Sequence, residues 1–196
     1  MKKNKAEKIA KLIQTDLNYL YANQNILQVI VNKSYEINNS TIIGYEHYLD
    51  DFIELVENNK FNIKLNDDSL IVLSYIFDSS GDISKYSLSF LPSIKDTDSD
   101  IYECLGKYCR IDYDPTCNNK VNHPILHYHN CIHKNSIRMQ IEYDVFPSEF
   151  LYIVLKYIMG TNINLDFLEK HITTTIEKER CRRNSNYNNH FILKLF

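Results

Sequence analysis

The sequence has few of the residues that form sharp turns, and its cysteines are odd in number. Its 196 residues include four Gly, four Pro and no Trp. A Gly-rich phosphate-binding loop needs Gly where the backbone turns sharply, and so does an all-β fold with many tight turns, so the composition argues against both. The five cysteines are an odd number and include no Cys-x-x-Cys pair, which argues against a disulfide framework and a zinc ribbon.

The chain also lacks a strong charge excess and a long apolar run. Its net charge of -3 gives no general attraction to nucleic acid or to an anionic membrane surface. The longest apolar stretch, 150–159, is too short to cross a bilayer. The N-terminal residues follow a helical pattern broken by polar side chains, unlike a signal peptide. We therefore expect a cytoplasmic protein with reduced thiols and no membrane partner, and the net charge does not indicate a nucleic-acid partner.

Several segments have the periodicity of helices. Hydrophobic residues make up 44% of the chain and charged residues 24%, as in folded globular proteins. Apolar residues recur at three- and four-residue spacings over 5–21, and Tyr45–Glu57 has a similar pattern. Pro147 and the next two residues predict the start of a buried helix over 148–159, which Gly160 ends. A last amphipathic helix is predicted over 165–182.

Other segments have the pattern of strands. Leu70–Phe77 and Ile83–Leu91 flank a Gly-containing loop, which predicts a hairpin. Further strands are predicted over 26–31, 102–114, 123–133, 137–143 and 191–196. The sequence therefore predicts a single α+β domain over 1–196, in which helices cover one face of a mainly antiparallel sheet. Its distinctive core lies at about 70–160.

Charged and polar residues alternate with apolar ones along three of these strands. Arg110, Asp112 and Asp114 alternate with apolar side chains in one strand, and His127 and His129 do so in the next. If the strands are neighbours, an aspartate and the two histidines come within reach of each other across the sheet. The third strand, 137–143, adds Arg138 to the same polar face.

Imidazole and carboxylate groups at this spacing suit a metal site. We expect His127, His129 and Asp112 to be ligands of zinc or another divalent transition metal, with an open position for water. The candidate catalytic residues are Arg110, Asp112, Asp114, His127 and His129. The candidate substrate-binding residues are Arg110, Arg138 and His123, since an arginine fork binds phosphate or carboxylate.

Two other interpretations of this polar face stay open. The same histidines and aspartates can perform acid–base catalysis without a metal. An exposed sheet face is also normally polar, and opposite charges on adjacent strands can simply pair, so the face can be structural or can bind a partner.

Four ordered motifs together resemble an uncharacterised family of small bacterial and phage-borne proteins. They are Leu-Ser-Phe-Leu-Pro-Ser at 88–93, Arg-Ile-Asp-Tyr-Asp-Pro at 110–115, His-Pro-Ile-Leu-His-Tyr-His at 123–129 and Phe-Pro-Ser-Glu-Phe at 146–150. The resemblance covers about 70–160. It implies that the distinctive residues of the family are Arg110, Asp112, Asp114, His123, His127 and His129. It implies no established activity, and it associates the chain with mobile elements or phage defence.

Two functions from different classes follow as expectations. The first is a hydrolase that acts on a phosphodiester or similar anionic substrate, in which Arg110 stabilises negative charge. The second is a non-catalytic protein-binding module, whose partner belongs to an operon-encoded defence or toxin–antitoxin assembly.

Overall fold

The computed structural model describes residues 2–32, 41–42, 52–78, 82–94, 107–117, 124–129, 139–179 and 192–193. Within these ranges, all strands belong to one sheet of nine strands. The strands are Val29–Val31 (β1), Thr41–Ile42 (β2), Ile63–Leu65 (β3), Leu70–Phe77 (β4), Ile83–Leu91 (β5), Cys109–Tyr113 (β6), Leu126–His129 (β7), Met139–Ile141 (β8) and Ile192–Leu193 (β9).

The sheet is almost entirely antiparallel. Its spatial order is β1-β3-β4-β5-β6-β7-β8-β9, and β2 pairs with the far end of β4. Only the pairing of β8 with β9 is parallel among the described strands. The long β4–β5 pair is the predicted hairpin, and β9 lies at one edge of the sheet. The α+β class with a mainly antiparallel sheet is thus confirmed.

Helices cover the sheet, and most of them lie against one face. The helices are Lys2–Ala22 (α1), Gln24–Leu27 (α2), Phe52–Glu57 (α3), Pro147–Ile153 (α4) and Asp166–His171 (α5). Two of them continue with a wider π-helical turn, α4 over Val154–Ile158 and α5 over Ile172–Ile176. None of the helices in the described ranges is both long and apolar enough to cross a bilayer.

The main core lies between the sheet and the helices α1, α4 and α5. The predicted face of α1 is buried there through Ile13, Leu17 and Leu20. Every residue of α4 is buried, as expected for a helix with apolar side chains nearly all round. Gly160, at φ +60°, follows the end of this helical segment in the left-handed conformation that favours glycine. The predicted central helix and its end are therefore confirmed.

A smaller apolar cluster lies on the opposite face of the sheet. Phe52 and Leu55 of α3 pack there with Leu70 and Val72, which alternate along β4 with residues of the main core. The helical layer is therefore concentrated on one face, and α3 covers one end of the other face.

Asp16 joins three helices at the main core. Its side chain is fully buried on α1, and its carboxylate accepts a hydrogen bond from the backbone N–H of Ser148 at 2.9 Å. The other carboxylate oxygen lies 2.8 Å from Nε2 of His171 in α5, and the His171 ring stacks on Tyr19. The carboxylate thus satisfies a backbone donor in the first turn of α4 and fixes α1 against α5.

Some predicted boundaries differ from the structure. The predicted strand 26–31 begins as helix α2, and only Val29–Val31 is a strand, because Gln28 adopts a left-handed conformation that breaks the chain direction. The strand Ile63–Leu65 was not predicted, since three residues are too few for a clear alternation. Large parts of the predicted segments 45–57, 102–114 and 123–133, and the end of 165–182, lie outside the described residues. The single domain over 1–196, with its core at about 70–160, stays a prediction.

Candidate functional site

The register of the sheet places polar side chains in two rows on the face opposite the main core. The longer row runs through Ser87, Asp112, His127 and Gln140, which are direct cross-strand partners in β5, β6, β7 and β8. The shorter row runs through Ser89, Arg110 and His129. We call these seven residues the polar rows.

Alternation along β6 and β7 explains why the polar rows share one face. Cys109, Ile111 and Tyr113 of β6 lie in the main core, as does Leu126 of β7. The residues between them must point to the other side of the sheet, because successive side chains in a strand alternate. The predicted alternation of charged and apolar residues in β6 and β7 therefore positions the site.

Arg110, Asp112 and His129 form a connected group. Nε2 of His129 lies 2.9 Å from Oδ2 of Asp112, and Nη2 of Arg110 donates to the same oxygen at 2.8 Å. Nε of Arg110 also donates to Nε2 of His129 at 3.1 Å. The guanidinium thus bridges the carboxylate and the imidazole.

Nε2 of His129 therefore lies between a donor and an acceptor. A neutral imidazole nitrogen either carries a proton or presents a lone pair, so it can satisfy Arg110 or Asp112 but not both. A cation bound to both Nε2 of His129 and Oδ2 of Asp112 would satisfy two acceptors at once. The donor set at this point of the site consequently fits a metal ion.

His127 has its tautomer fixed by the backbone. Its Nδ1 lies 2.8 Å from the carbonyl oxygen of Pro124, which can only accept, so Nδ1 carries the proton. Nε2 then presents a lone pair, and it lies 3.9 Å from Oδ2 of Asp112. A backbone carbonyl that orients a histidine in this way is a common support for a metal ligand.

Three ligand atoms converge on one point. One ligand atom each from Asp112, His127 and His129 lies within 4.8 Å of the other two, and all three residues are buried. Two imidazoles and one carboxylate match the three protein ligands of many catalytic metal centres. Among the described residues this is the one group of His, Cys, Asp and Glu side chains with such spacing.

The surroundings of Asp112 keep it ionised. Burial alone would raise the pKa of its carboxyl, but the hydrogen bond between Asp112 and His129 and the positive charge of Arg110 lower that pKa from 3.8 to about 2. Ser87, the cross-strand neighbour, lowers the pKa further. The site therefore holds a permanent anion next to a permanent cation.

Tyr108 lies beside the polar rows and was not predicted as a site residue. It is buried just before β6, next to Arg110, Asp112 and Ser89. Burial raises the pKa of its hydroxyl to about 12, despite the opposing effect of Arg110, so the group stays protonated at neutral pH and can donate a hydrogen bond.

Ser87 and Ser89 also escaped the sequence analysis, although a pattern was present. They alternate with apolar residues in β5, in the same way as the charged residues of β6. Serines in a strand commonly face solvent, and only the register with Asp112 and Arg110 shows that they border the site.

Asp114 does not join the ligand group. It follows the end of β6, and its carboxylate accepts hydrogen bonds from the backbone N–H and hydroxyl of Thr116 and pairs with Lys85 at 3.5 Å. These contacts are those of a turn rather than of a metal ligand. Arg138 and His123, the other candidate substrate-binding residues, lie outside the described residues.

Cys109 of β6 has a thiol that is not activated for catalysis. Cys109 is a buried free cysteine on the core side of β6. Burial raises the pKa of this thiol far above its usual range, so it is not an activated nucleophile.

Comparison with known proteins gives a family but no characterised relative. Searches of curated proteins and of solved structures return no match for this chain. One family model, described as "Uncharacterized conserved protein (DUF2290)", matches residues 12–194. This range includes all of the polar rows and nearly the whole sheet, so the chain belongs to the DUF2290 family of uncharacterised conserved proteins.

Proposed function

We propose that this protein is a metal-dependent hydrolase of a phosphodiester or similar anionic substrate. The observation that carries the proposal is the convergence of Asp112, His127 and His129, whose ligand atoms lie within 4.8 Å of one another. Two imidazoles and a carboxylate suit zinc or another divalent transition metal.

Two of the three side chains, His127 and Asp112, are prepared for this role before any metal binds. The carbonyl of Pro124 holds His127 with its Nε2 lone pair toward Asp112, and the low pKa of Asp112 keeps the carboxylate charged at neutral pH. Little energy is then needed to deprotonate or reorient these ligands. A bound divalent ion supplies an activated water at neutral pH, which is the nucleophile that hydrolysis requires.

Arg110 gives the proposal its substrate class. Its guanidinium bridges Asp112 and His129, so it lies next to two of the three atoms that would bind the metal. Once an ion neutralises Asp112, the guanidinium is available for another anion, and its planar fork suits a phosphate or carboxylate. The adjacent hydroxyl of Tyr108 is a second donor for the same anion.

The test is a hydrolysis assay on the full chain, stripped of metal and then loaded with Zn²⁺ or Mn²⁺. The substrate is bis(p-nitrophenyl) phosphate, and the variants are Asp112→Asn and His127→Ala. Asp166→Asn, an exposed position on α5, is the matched control. We expect turnover in wild type and control that is lost in both site variants while circular dichroism shows folded protein.

Two results would contradict this proposal. Metal-dependent turnover that survives in the His127→Ala variant would remove the site from the reaction. Turnover by metal-stripped wild type that needs both His127 and Asp112 would instead support metal-free acid–base catalysis.

One observation favours the alternative function, a non-catalytic protein-binding module of a defence or toxin–antitoxin assembly. The site residues are buried and paired with one another: His127 is 1% exposed, and the charge of Asp112 is matched by Arg110. In this alternative the polar rows perform no chemistry, and the arginine, histidine and tyrosine side chains of the same surface form the partner interface. It predicts no turnover with any loaded metal, and site variants that reduce stability without a specific loss of metal.

A further inference from the structure

Gln140 lies at the end of the longer polar row and has no role in the site described above. It is the direct cross-strand partner of His127, which in turn is the direct partner of Asp112. Directly opposed residues of an antiparallel pair have Cβ atoms about 5 Å apart. The Gln140 side chain therefore lies on the same face of the sheet as the His127 ring and close to that ring.

The burial of Ile141 on the opposite face supports this placement of the Gln140 side chain. Ile141, the next residue in β8, belongs to the main core on the other face. Alternation then places Gln140 on the face of the polar rows, where it is only 2% exposed.

The amide oxygen of Gln140 is a buried acceptor with no hydrogen-bond partner among the described residues. A buried polar atom in this state is energetically unfavourable, and such groups in folded proteins usually have a partner. An amide oxygen cannot donate, so its partner must be a donor or a cation. The adjacent ligand group of Asp112, His127 and His129 is the place in the described structure that fits a cation.

We propose that Oε1 of Gln140 is a fourth protein ligand and that the site favours a six-coordinate Mn²⁺-type ion over tetrahedral Zn²⁺. This inference rests on the proposed function and adds the identity of the metal class. Four protein ligands complete a tetrahedral zinc site and leave no position for water. A six-coordinate ion bound by the same four ligands keeps two positions open for water and substrate.

The composition of the ligand set agrees with this choice. Gln140 adds a carbonyl-type oxygen to one carboxylate oxygen and two imidazole nitrogens. Carbonyl and carboxylate oxygens are preferred by harder ions such as Mn²⁺, whereas three ligands including two imidazoles already suffice for Zn²⁺. Loss of Gln140 should therefore weaken Mn²⁺ binding much more than Zn²⁺ binding.

The experiment measures the dissociation constants of Mn²⁺ and Zn²⁺ for the full chain by chelator competition. The variants are Gln140→Leu, which removes the oxygen, and Gln140→Glu, which makes it a charged carboxylate. Gln14→Leu and Gln14→Glu are matched controls, because Gln14 is on α1, and α1 packs on the opposite face of the sheet. Circular dichroism of each variant monitors folding.

We expect Gln140→Leu to weaken Mn²⁺ binding at least about tenfold, with a much smaller effect on Zn²⁺. We expect Gln140→Glu to strengthen Mn²⁺ binding. If Gln140→Leu does not fold, this second variant tests whether Gln140 is a metal ligand. If wild type binds metal and the Gln140 variants bind Mn²⁺ as tightly as wild type does, the role of Gln140 is refuted and the proposed function is not. Wild type that binds neither ion would overturn the proposed function as well.

Discussion

The pairing of Asp112 predicts a specific dependence of stability on pH. In the metal-stripped protein, the surroundings of this carboxyl lower its pKa from 3.8 to about 2. A difference of that size between the unfolded and folded chain corresponds to about 2 kcal/mol. Because the pKa is lower in the folded chain, the ionised carboxylate stabilises the fold above pH 3.8, and this contribution is lost as the pH falls through about 2. Solvent screens the charge of Asp112 only weakly, because its side chain is only 11% exposed.

The variant Asp112→Asn isolates this contribution, because it keeps the shape of the side chain and cannot ionise. The assay is urea unfolding of wild type and variant between pH 6 and pH 2, in the presence of a chelator. We expect wild type to be more stable at pH 6 and the difference in free energy of unfolding to shrink by about 2 kcal/mol toward pH 2. Titrating groups that do not contact Asp112 affect both proteins equally and cancel in the difference. A difference that stays constant over this range would refute the proposed pairing of Asp112 with His129 and Arg110.

Three further predictions concern other parts of the structure. Asp16→Asn should lower the free energy of unfolding by about 2–3 kcal/mol in urea titrations, because the buried carboxylate contacts both Ser148 and His171. A change below about 0.5 kcal/mol would contradict this. Arg110→Met should abolish turnover of the anionic substrate while metal affinity stays equal or rises, since a competing cation is removed; weaker metal binding in calorimetry would contradict this. Phe150→Ala should lower the free energy of unfolding by about 3–5 kcal/mol in the same titrations, because it leaves a cavity at a fully buried position, and wild-type stability would be the contrary result.

Much of the fold follows from local patterns in the sequence. The apolar stripe of α1, the Pro147 start of α4 and the two long strands around the Gly-containing loop have strong and unambiguous periodicity. Short elements such as Ile63–Leu65 do not, because their conformation depends on pairing with a neighbour rather than on their own residues. The position of α3 on the second face could not be predicted for the same reason.

The candidate site was partly predictable. Alternation within β6 and β7 gives the shared face of Asp112, His127 and His129, and the structure brings these three side chains together. The sequence could not show that Asp114 lies apart from these three side chains, because its contacts with Thr116 and Lys85 depend on the turn after β6. It also could not indicate Tyr108 or Ser87, whose proximity to the site comes from sheet register and burial. One of the open interpretations treated the polar face as an exposed sheet face, whereas the polar rows are largely buried.

The metal content of the chain tests the central claim most directly. Wild type, the His127→Ala/His129→Ala double variant and the Asp166→Asn control are each loaded with divalent metal, freed of excess ion and analysed by inductively coupled plasma mass spectrometry. The ligand group of Asp112, His127 and His129 predicts one metal ion per chain in wild type and control, and none in the folded double variant. Folded wild type that retains no metal, or a double variant that retains as much as wild type, would contradict the account.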